Sequence, residues 1–95
     1  MAVKILIYRT ISKEQEPVVR PFLKQLRQLA LKTRGYISGE SLISGENLEE
    51  NLIISSWESL DDWETYMENN ESREIRFNID QILAKETVYK IYFMR

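Results

Sequence analysis

The segment at residues 54–67, ISSWESLDDWETYM, constrains the fold more than any other part of the chain. An apolar run ends at Trp57, and Ser59 follows as a helix N-cap with two acidic residues in the first turn behind it. A strand therefore passes directly into an amphipathic helix that carries Trp63 and Tyr66. Aromatic and hydroxyl side chains at such a junction favour a small-molecule pocket.

The remaining apolar runs predict the element order βαββαβ. Strands are expected at residues 3–9, 36–43, 52–57 and 86–94, and helices at 17–34, 60–68 and 71–83. This order predicts an α+β, ferredoxin-like fold in which a four-stranded antiparallel sheet carries the helices on one face. With 95 residues, the chain is expected to form a single domain, 1–95.

The first helix has two candidate starts. Pro17 suits a first helical turn, whereas Pro21 is compatible only with a position near the start, so the regular helix is expected to begin at one of them. Lys32 and Arg34 favour the negative end of the helix dipole, and Gly35 is a natural stop.

The composition excludes several classes of chemistry. Without histidine or cysteine, the chain has no imidazole base, no His-ligated zinc or haem, no thiolate and no disulfide. Carboxylates do not recur at ligand spacing, so no metal site is expected. A net charge of −2 gives no basic stripe for nucleic acid, and no apolar run is long enough to span a membrane. We therefore expect a cytoplasmic protein without nucleic-acid or membrane partners.

The predicted sheet is apolar on both faces. One face, which includes Ile5, Ile37 and Trp57, is expected to meet the helices. The opposite face carries Leu6, Tyr8, Tyr36, Leu42, Leu52, Ile54, Val88 and Tyr92, and only Lys4, Glu40 and Lys90 break it with charge. A solvated antiparallel face alternates to polar residues more strictly, and a contiguous apolar patch marks an interface. We therefore expect a homodimer that packs sheet against sheet through this second face.

Three residues are candidates for catalysis. Trp57 either fills the core or shapes a pocket and donates its N–H to a substrate oxygen. Tyr66 is a candidate donor to an enolate or phenolate oxygen, with a half-exposed helix tyrosine as the alternative. Arg73 is a candidate anchor for an anionic substrate, with a surface ion pair as the alternative.

Three further residues are candidates for substrate binding. Ser55 is small and polar among isoleucines, and it leaves room for a bulky neighbour or for a ligand. Trp63 lies on the apolar stripe of the second helix, where core packing is the alternative role. Phe22 lies on the apolar stripe of the first helix.

Two segments carry a family resemblance. GYISGESL at residues 35–42 and WESLDDWETYMENNESR at residues 57–73, together with the closing strand, resemble the antibiotic biosynthesis monooxygenase family over residues 3–93. The resemblance implies a dimeric α/β barrel with a pocket between the sheet and the helices of each protomer. Members include cofactor-free monooxygenases of quinols and polyketide anthrones, and others degrade haem or isomerise small signalling molecules.

The chain departs from the family in two places. Many members, including the haem degraders, carry a histidine on the second helix, where this chain has Tyr66 and Met67. The asparagine that haem degraders place on the first strand is absent from KILIYR. The usual haem-degrading residues are therefore missing, although a tyrosine is also able to ligate haem iron.

The leading interpretation is a cofactor-independent monooxygenase acting on a small electron-rich aromatic, a quinol or an anthrone, without any cofactor. Without histidine, a bound water or a pocket carboxylate would have to act as the base. The first alternative is a non-catalytic dimeric module that binds a small hydrophobic or aromatic molecule. The second is a structural dimer whose pocket is filled by Trp57 and Trp63.

Overall fold

The computed structural model describes residues 1–95 and confirms the βαββαβ order. The strands are β1 (Val3–Thr10), β2 (Tyr36–Ile43), β3 (Glu50–Trp57) and β4 (Val88–Phe93), and the helices are α1 (Glu16–Leu31), α2 (Leu60–Glu68) and α3 (Asn70–Leu83). Neighbouring strands are antiparallel in the order β2-β3-β1-β4. None of the helices combines the length and the apolar character that a bilayer crossing requires.

The core lies between one face of the sheet and the helices. Val3 and Ile5 of β1 and Trp57 of β3 are at most 1% exposed, and they cluster with Val19 of α1 and Ile79 of α3. Burying an aliphatic side chain of this size contributes about 1.5–3 kcal/mol. The central strands therefore hold both long helices against a single sheet face, which leaves the opposite face open.

α1 begins earlier than predicted, at Glu16, so that both prolines lie inside it. Ser12 and Gln15 fix this start reciprocally: Ser12 Oγ accepts from the Gln15 N–H, and Gln15 Oε1 accepts from the Ser12 N–H. The Gln15 amide also donates to the Ile82 carbonyl at 3.3 Å. This contact ties the start of α1 to the end of α3.

A β-bulge in β2 corrects the predicted sheet faces. Tyr36 pairs with Trp57 and Ser38 pairs with Ser56, so Ile37 is an extra residue in β2. Because strand side chains alternate, Tyr36 lies on the helix side, with its ring centroid 5.3 Å from that of Trp57. The prediction that Tyr36 belongs to the open face is therefore wrong, and Ile37, expected to face the helices, is exposed.

The other predicted residues of the open face do share it. Leu6 pairs with Ile54, and Tyr8 pairs with Leu52 across β1 and β3. Tyr92 of β4 lies beside Lys4 of β1 on the same face and is 54% exposed. This open face is largely apolar across β1, β3 and β4, although Lys4 and Lys90 also lie on it.

Gly35 carries the chain from α1 into β2. α1 ends at Leu31, short of the predicted end at residue 34, and Gly35 follows with φ of +89°. Its carbonyl accepts from the Glu58 N–H at 2.7 Å, and a Cβ at this position would overlap the carboxylate of Asp62. Both the positive φ and this close approach require glycine.

The first prediction concerns this junction. Gly35→Ala is expected to lower the free energy of unfolding by about 1–3 kcal/mol, because the new side chain is strained and displaces Asp62. Urea denaturation measures the change. Gly45→Ala is the matched control, since a Cβ there meets open space, and it is expected to stay within about 0.5 kcal/mol of the wild type. Equal effects of the two substitutions would contradict this assignment.

Candidate functional site

A cavity of about 240 Å³ lies between the helix-facing side of the sheet and the helices. Its aromatic wall consists of Tyr36, Trp57, Trp63, Tyr66 and Tyr89. Ligand pockets commonly measure about 300–1,000 Å³, so this one lies just below that range and suits a small, flat ligand.

Trp57 and Ser55 form the floor of this cavity at the end of β3. The Trp57 Nε1–H donates to Ser55 Oγ at 2.6 Å. The Trp57 ring lies edge-on to Tyr36 and 5.1 Å, between centroids, from Tyr66. The indole N–H considered as a donor to substrate is therefore already paired, and Trp57 acts as a wall of the cavity.

α2 places Trp63 and Tyr66 on the opposite wall. Ser59 Oγ accepts from the Asp62 N–H at 3.1 Å, which caps the helix as predicted and fixes its phase. The Tyr66 hydroxyl donates to the Leu26 carbonyl at 3.3 Å. Burial raises the pKa of Tyr66 to about 12, against the opposing effects of nearby hydroxyl and arginine groups. Tyr66 therefore remains a neutral hydrogen-bond donor at physiological pH.

The structure brings together four of the six predicted site residues. Ser55, Trp57, Trp63 and Tyr66 all line the cavity. They meet there because residues 55 and 57 share one face of β3, and residues 63 and 66 share the buried side of α2.

Two predicted site residues lie elsewhere. Arg73 is exposed on α3, and Phe22 packs against the core from α1 without reaching the cavity. α3 begins at Asn70, and its buried stripe starts at Ser72, so Arg73 is rotated by about 100° toward solvent. Arg76, four residues after Ser72, lines the cavity where Arg73 was expected.

The charge of this cavity was not predicted from the sequence. Its wall carries Arg9, Arg20, Lys24, Arg27 and Arg76, whereas Glu40 is its only carboxylate. Two patterns in the sequence indicate these cations. An arginine follows two isoleucines on the inward-facing positions of β1, and three cations recur at helical spacing on α1. A chain of net charge −2 thus gathers cations around one cavity.

Arg9 is the most deeply buried of these cations. It is 7% exposed, and its Nε donates to Thr87 Oγ1 at 3.3 Å. Thr87 Oγ1 in turn donates to Asp80 Oδ1 at 2.9 Å. Burial lowers the pKa of Arg9, while Tyr89 and Asp80 nearby act in the opposite direction. Arg9 thus faces the cavity as a cation without a directly paired carboxylate.

Arg76 is fixed by protein hydrogen bonds without a counter-charge. Its Nε donates to Ser72 Oγ at 3.2 Å, and its Nη2 donates to the Met67 carbonyl. The ion pair of this structure joins Arg20 to Glu16, and both of these side chains are largely exposed. The chain has no group of three or more side chains with the composition of a metal site.

The second prediction follows from the buried phenol of Tyr66. Its folded-state pKa is raised, so its contribution to stability is complete below pH 10 and is lost as the pH rises through about 12. The difference between absorbance titrations of the wild type and Tyr66→Phe isolates this phenol, and its midpoint is expected near 12 while circular dichroism reports an intact fold. A difference midpoint near about 10 would show that the phenol is not desolvated.

No protein-family model and no curated protein matches the sequence. Solved structures do match it. A conserved protein from Methanosarcina mazei Go1 has a TM-score of 0.90 at 21% identity, with 100% of this chain and 94% of that chain covered. A proposed antibiotic biosynthesis monooxygenase from Nitrosomonas europaea has a TM-score of 0.83 at 11% identity, with 96% and 88% covered.

SnoaB, a cofactor-independent oxygenase from Streptomyces nogalater, has a TM-score of 0.82 at 9% identity, with 99% of this chain and 93% of that chain covered. The TM-scores establish the fold. At identities this low, the activity has to be argued from the site. The chain therefore has the fold that its sequence resemblance implied, that of an antibiotic biosynthesis monooxygenase-like domain.

Proposed function

We propose that the chain is a cofactor-independent monooxygenase that oxidises a small electron-rich aromatic of the quinol or anthrone type. The observation that carries the proposal is a cavity that combines an aromatic wall with the unpaired cations Arg9 and Arg76. This cavity lies in a fold shared with SnoaB, a cofactor-independent oxygenase.

The substrate itself supplies the electrons in this reaction. An anthrone loses a C–H proton to give an enolate, which transfers one electron to dioxygen. The substrate radical and superoxide combine to a peroxide anion, and this anion takes back a proton to give a hydroperoxide. Loss of water from the hydroperoxide leaves a carbonyl, so one oxygen atom enters the product and the other leaves as water. The protein has to exclude bulk water, favour the anion and orient it.

Arg9 and Arg76 stabilise the enolate anion. An opposite charge within about 4–6 Å lowers the pKa of an acid by about 1–3 units, so Arg9 and Arg76 favour the enolate. Tyr66 adds a neutral O–H donor if it exchanges its 3.3 Å bond to the Leu26 carbonyl for the substrate oxygen. The anchoring role expected for Arg73 thus passes to Arg76, and water accepts the proton.

A non-catalytic binding module is the second candidate, and one observation favours it. The cavity has no group suited to accept a proton, since Tyr66 is held in its neutral form and Glu40 is exposed. Such a module would bind the same aromatic ligands saturably without consuming oxygen.

The third prediction separates these two functions. The purified protein is expected to consume oxygen with a hydroquinone or an anthrone above the uncatalysed rate, as measured with an oxygen electrode. Tyr66→Phe is expected to lower kcat by about 10- to 100-fold, because a donor to the developing oxyanion is lost. Thr65→Val removes a hydroxyl from the exposed side of the same helix and is expected to keep the wild-type rate.

Two results would contradict these assignments. An unchanged rate in Tyr66→Phe would remove Tyr66 from the reaction. Saturable binding without oxygen uptake across the whole panel would replace the oxygenase with the binding module.

We also propose that two copies pair through the open face. Leu6 and Ile54 lie side by side there, as do Tyr8 and Leu52, and Tyr92 extends the patch to the edge strand. Contiguous apolar patches of this kind mark interfaces, and a symmetric dimer covers the same patch on both copies.

The fourth prediction tests this pairing. Ile54→Arg is expected to convert a dimer into a monomer, because it places a charge in the centre of the interface. Size-exclusion chromatography with light scattering measures the mass. Val18→Arg is the matched control, since Val18 is an exposed apolar residue on α1 and its replacement is expected to leave the mass unchanged. A wild-type protein that is monomeric at micromolar concentration would rule the interface out.

A further inference from the structure

Arg9 presents a problem of charge. Its side chain is 93% removed from solvent, yet the ion pair of this structure involves other residues. A guanidinium taken out of water is strongly destabilising unless a counter-charge and hydrogen bonds compensate it. Within the chain, no carboxylate lies within ion-pairing distance of Arg9.

The neighbours of Arg9 orient it without neutralising it directly. Its Nε donates to Thr87 Oγ1, and the Thr87 hydroxyl donates to the carboxylate of Asp80. Asp80 therefore acts through the intervening threonine, while the hydroxyl of Tyr89 lies beside the guanidinium. The hydrogen bond to Thr87 holds the Nε edge of the guanidinium. The Nη edge has no protein carboxylate on the side where Arg9 lines the cavity.

The other cations of the cavity point to the same kind of ligand. Arg76 has hydrogen bonds to a serine and a backbone carbonyl, and no counter-charge. Lys24 and Arg27 of α1 also line the cavity and are exposed. Cations along the wall of a cleft raise the local concentration of anions and speed their entry.

We propose that the ligand of this cavity is an aromatic carboxylate whose carboxylate pairs with Arg9 and whose rings lie against Trp57 and Trp63. The proposal rests on the cavity being the ligand site proposed above, and it adds a permanent acidic group to the substrate. The planar fork of an arginine matches a carboxylate with two parallel hydrogen bonds.

The carboxylate of the ligand differs from its reacting oxygen because the carboxylate is already charged when the ligand binds. A carboxylic acid is ionised at neutral pH before it binds, so it compensates Arg9 as soon as the complex forms. A phenol or enol must first lose its proton, and it cannot compensate Arg9 in the resting complex. Arg76 then remains for the oxygen that becomes negative during the reaction.

Isothermal titration calorimetry with 2-naphthoate and 2-naphthamide tests the proposal, because the two probes share a shape and differ in charge. The wild type is expected to bind the naphthoate at least about tenfold more tightly than the amide. Arg9→Met is expected to abolish this preference but to keep the affinity for the amide, since methionine places a flexible apolar stem in the same space. Arg9→Lys retains the charge without the fork and is expected to be intermediate.

Arg73→Met is the matched control, because Arg73 is exposed on α3 and does not line the cavity. It is expected to keep the wild-type preference, and urea unfolding verifies that every variant is folded. The inference is overturned if the wild type binds both probes equally, if it binds neither, or if Arg9→Met weakens both equally. A preserved preference for naphthoate in a protein that never consumes oxygen would support the inference and overturn only the oxygenase.

Discussion

The packing of Trp57 fixes the positions of the sheet, α2 and the cavity relative to one another. Its ring is 1% exposed and lies between Tyr36 of β2 and Tyr66 of α2. Its N–H is satisfied by Ser55, two residues earlier on the same strand face. An unsatisfied buried donor costs about 1–3 kcal/mol, so the indole depends on this serine. Because α2 starts three residues after Trp57, the direction in which the strand ends also decides where Tyr66 lies.

The two halves of the cavity wall have different physical roles. The aromatic rings offer a large apolar area to any flat ligand, which gives affinity with little selectivity. In the proposed complex, the cations Arg9 and Arg76 would discriminate by charge, because a neutral ligand would leave both without a counter-charge.

The order of the elements could be predicted from the sequence because the apolar periods are strong, as in Ile75 and Ile79 of α3 and in Val3 and Ile5 of β1. The bulge at Ile37 could not, because the residues after it, 38–41, are polar or glycine and show no apolar alternation in which the shift of phase could be seen.

The same limits apply to the site. Four of the six candidate residues line the cavity, because alternation and helical spacing determine their faces once the elements are known. Arg73 was misplaced because the phase of α3 depends on its cap at Asn69, two residues before the predicted start of the helix. Arg9 was missed because a charged residue late in an apolar strand resembles the end of the strand.

The lack of an ion pair at Arg9 would link the amount of folded protein in a cell to the supply of the proposed anionic ligand. A ligand that binds only the folded state increases stability by mass action, and marginal stability governs how fast proteases remove a chain. If an anion completes the environment of Arg9, a cell that lacks this metabolite holds a shorter-lived protein. The protein then accumulates where its substrate is made, without a dedicated regulator.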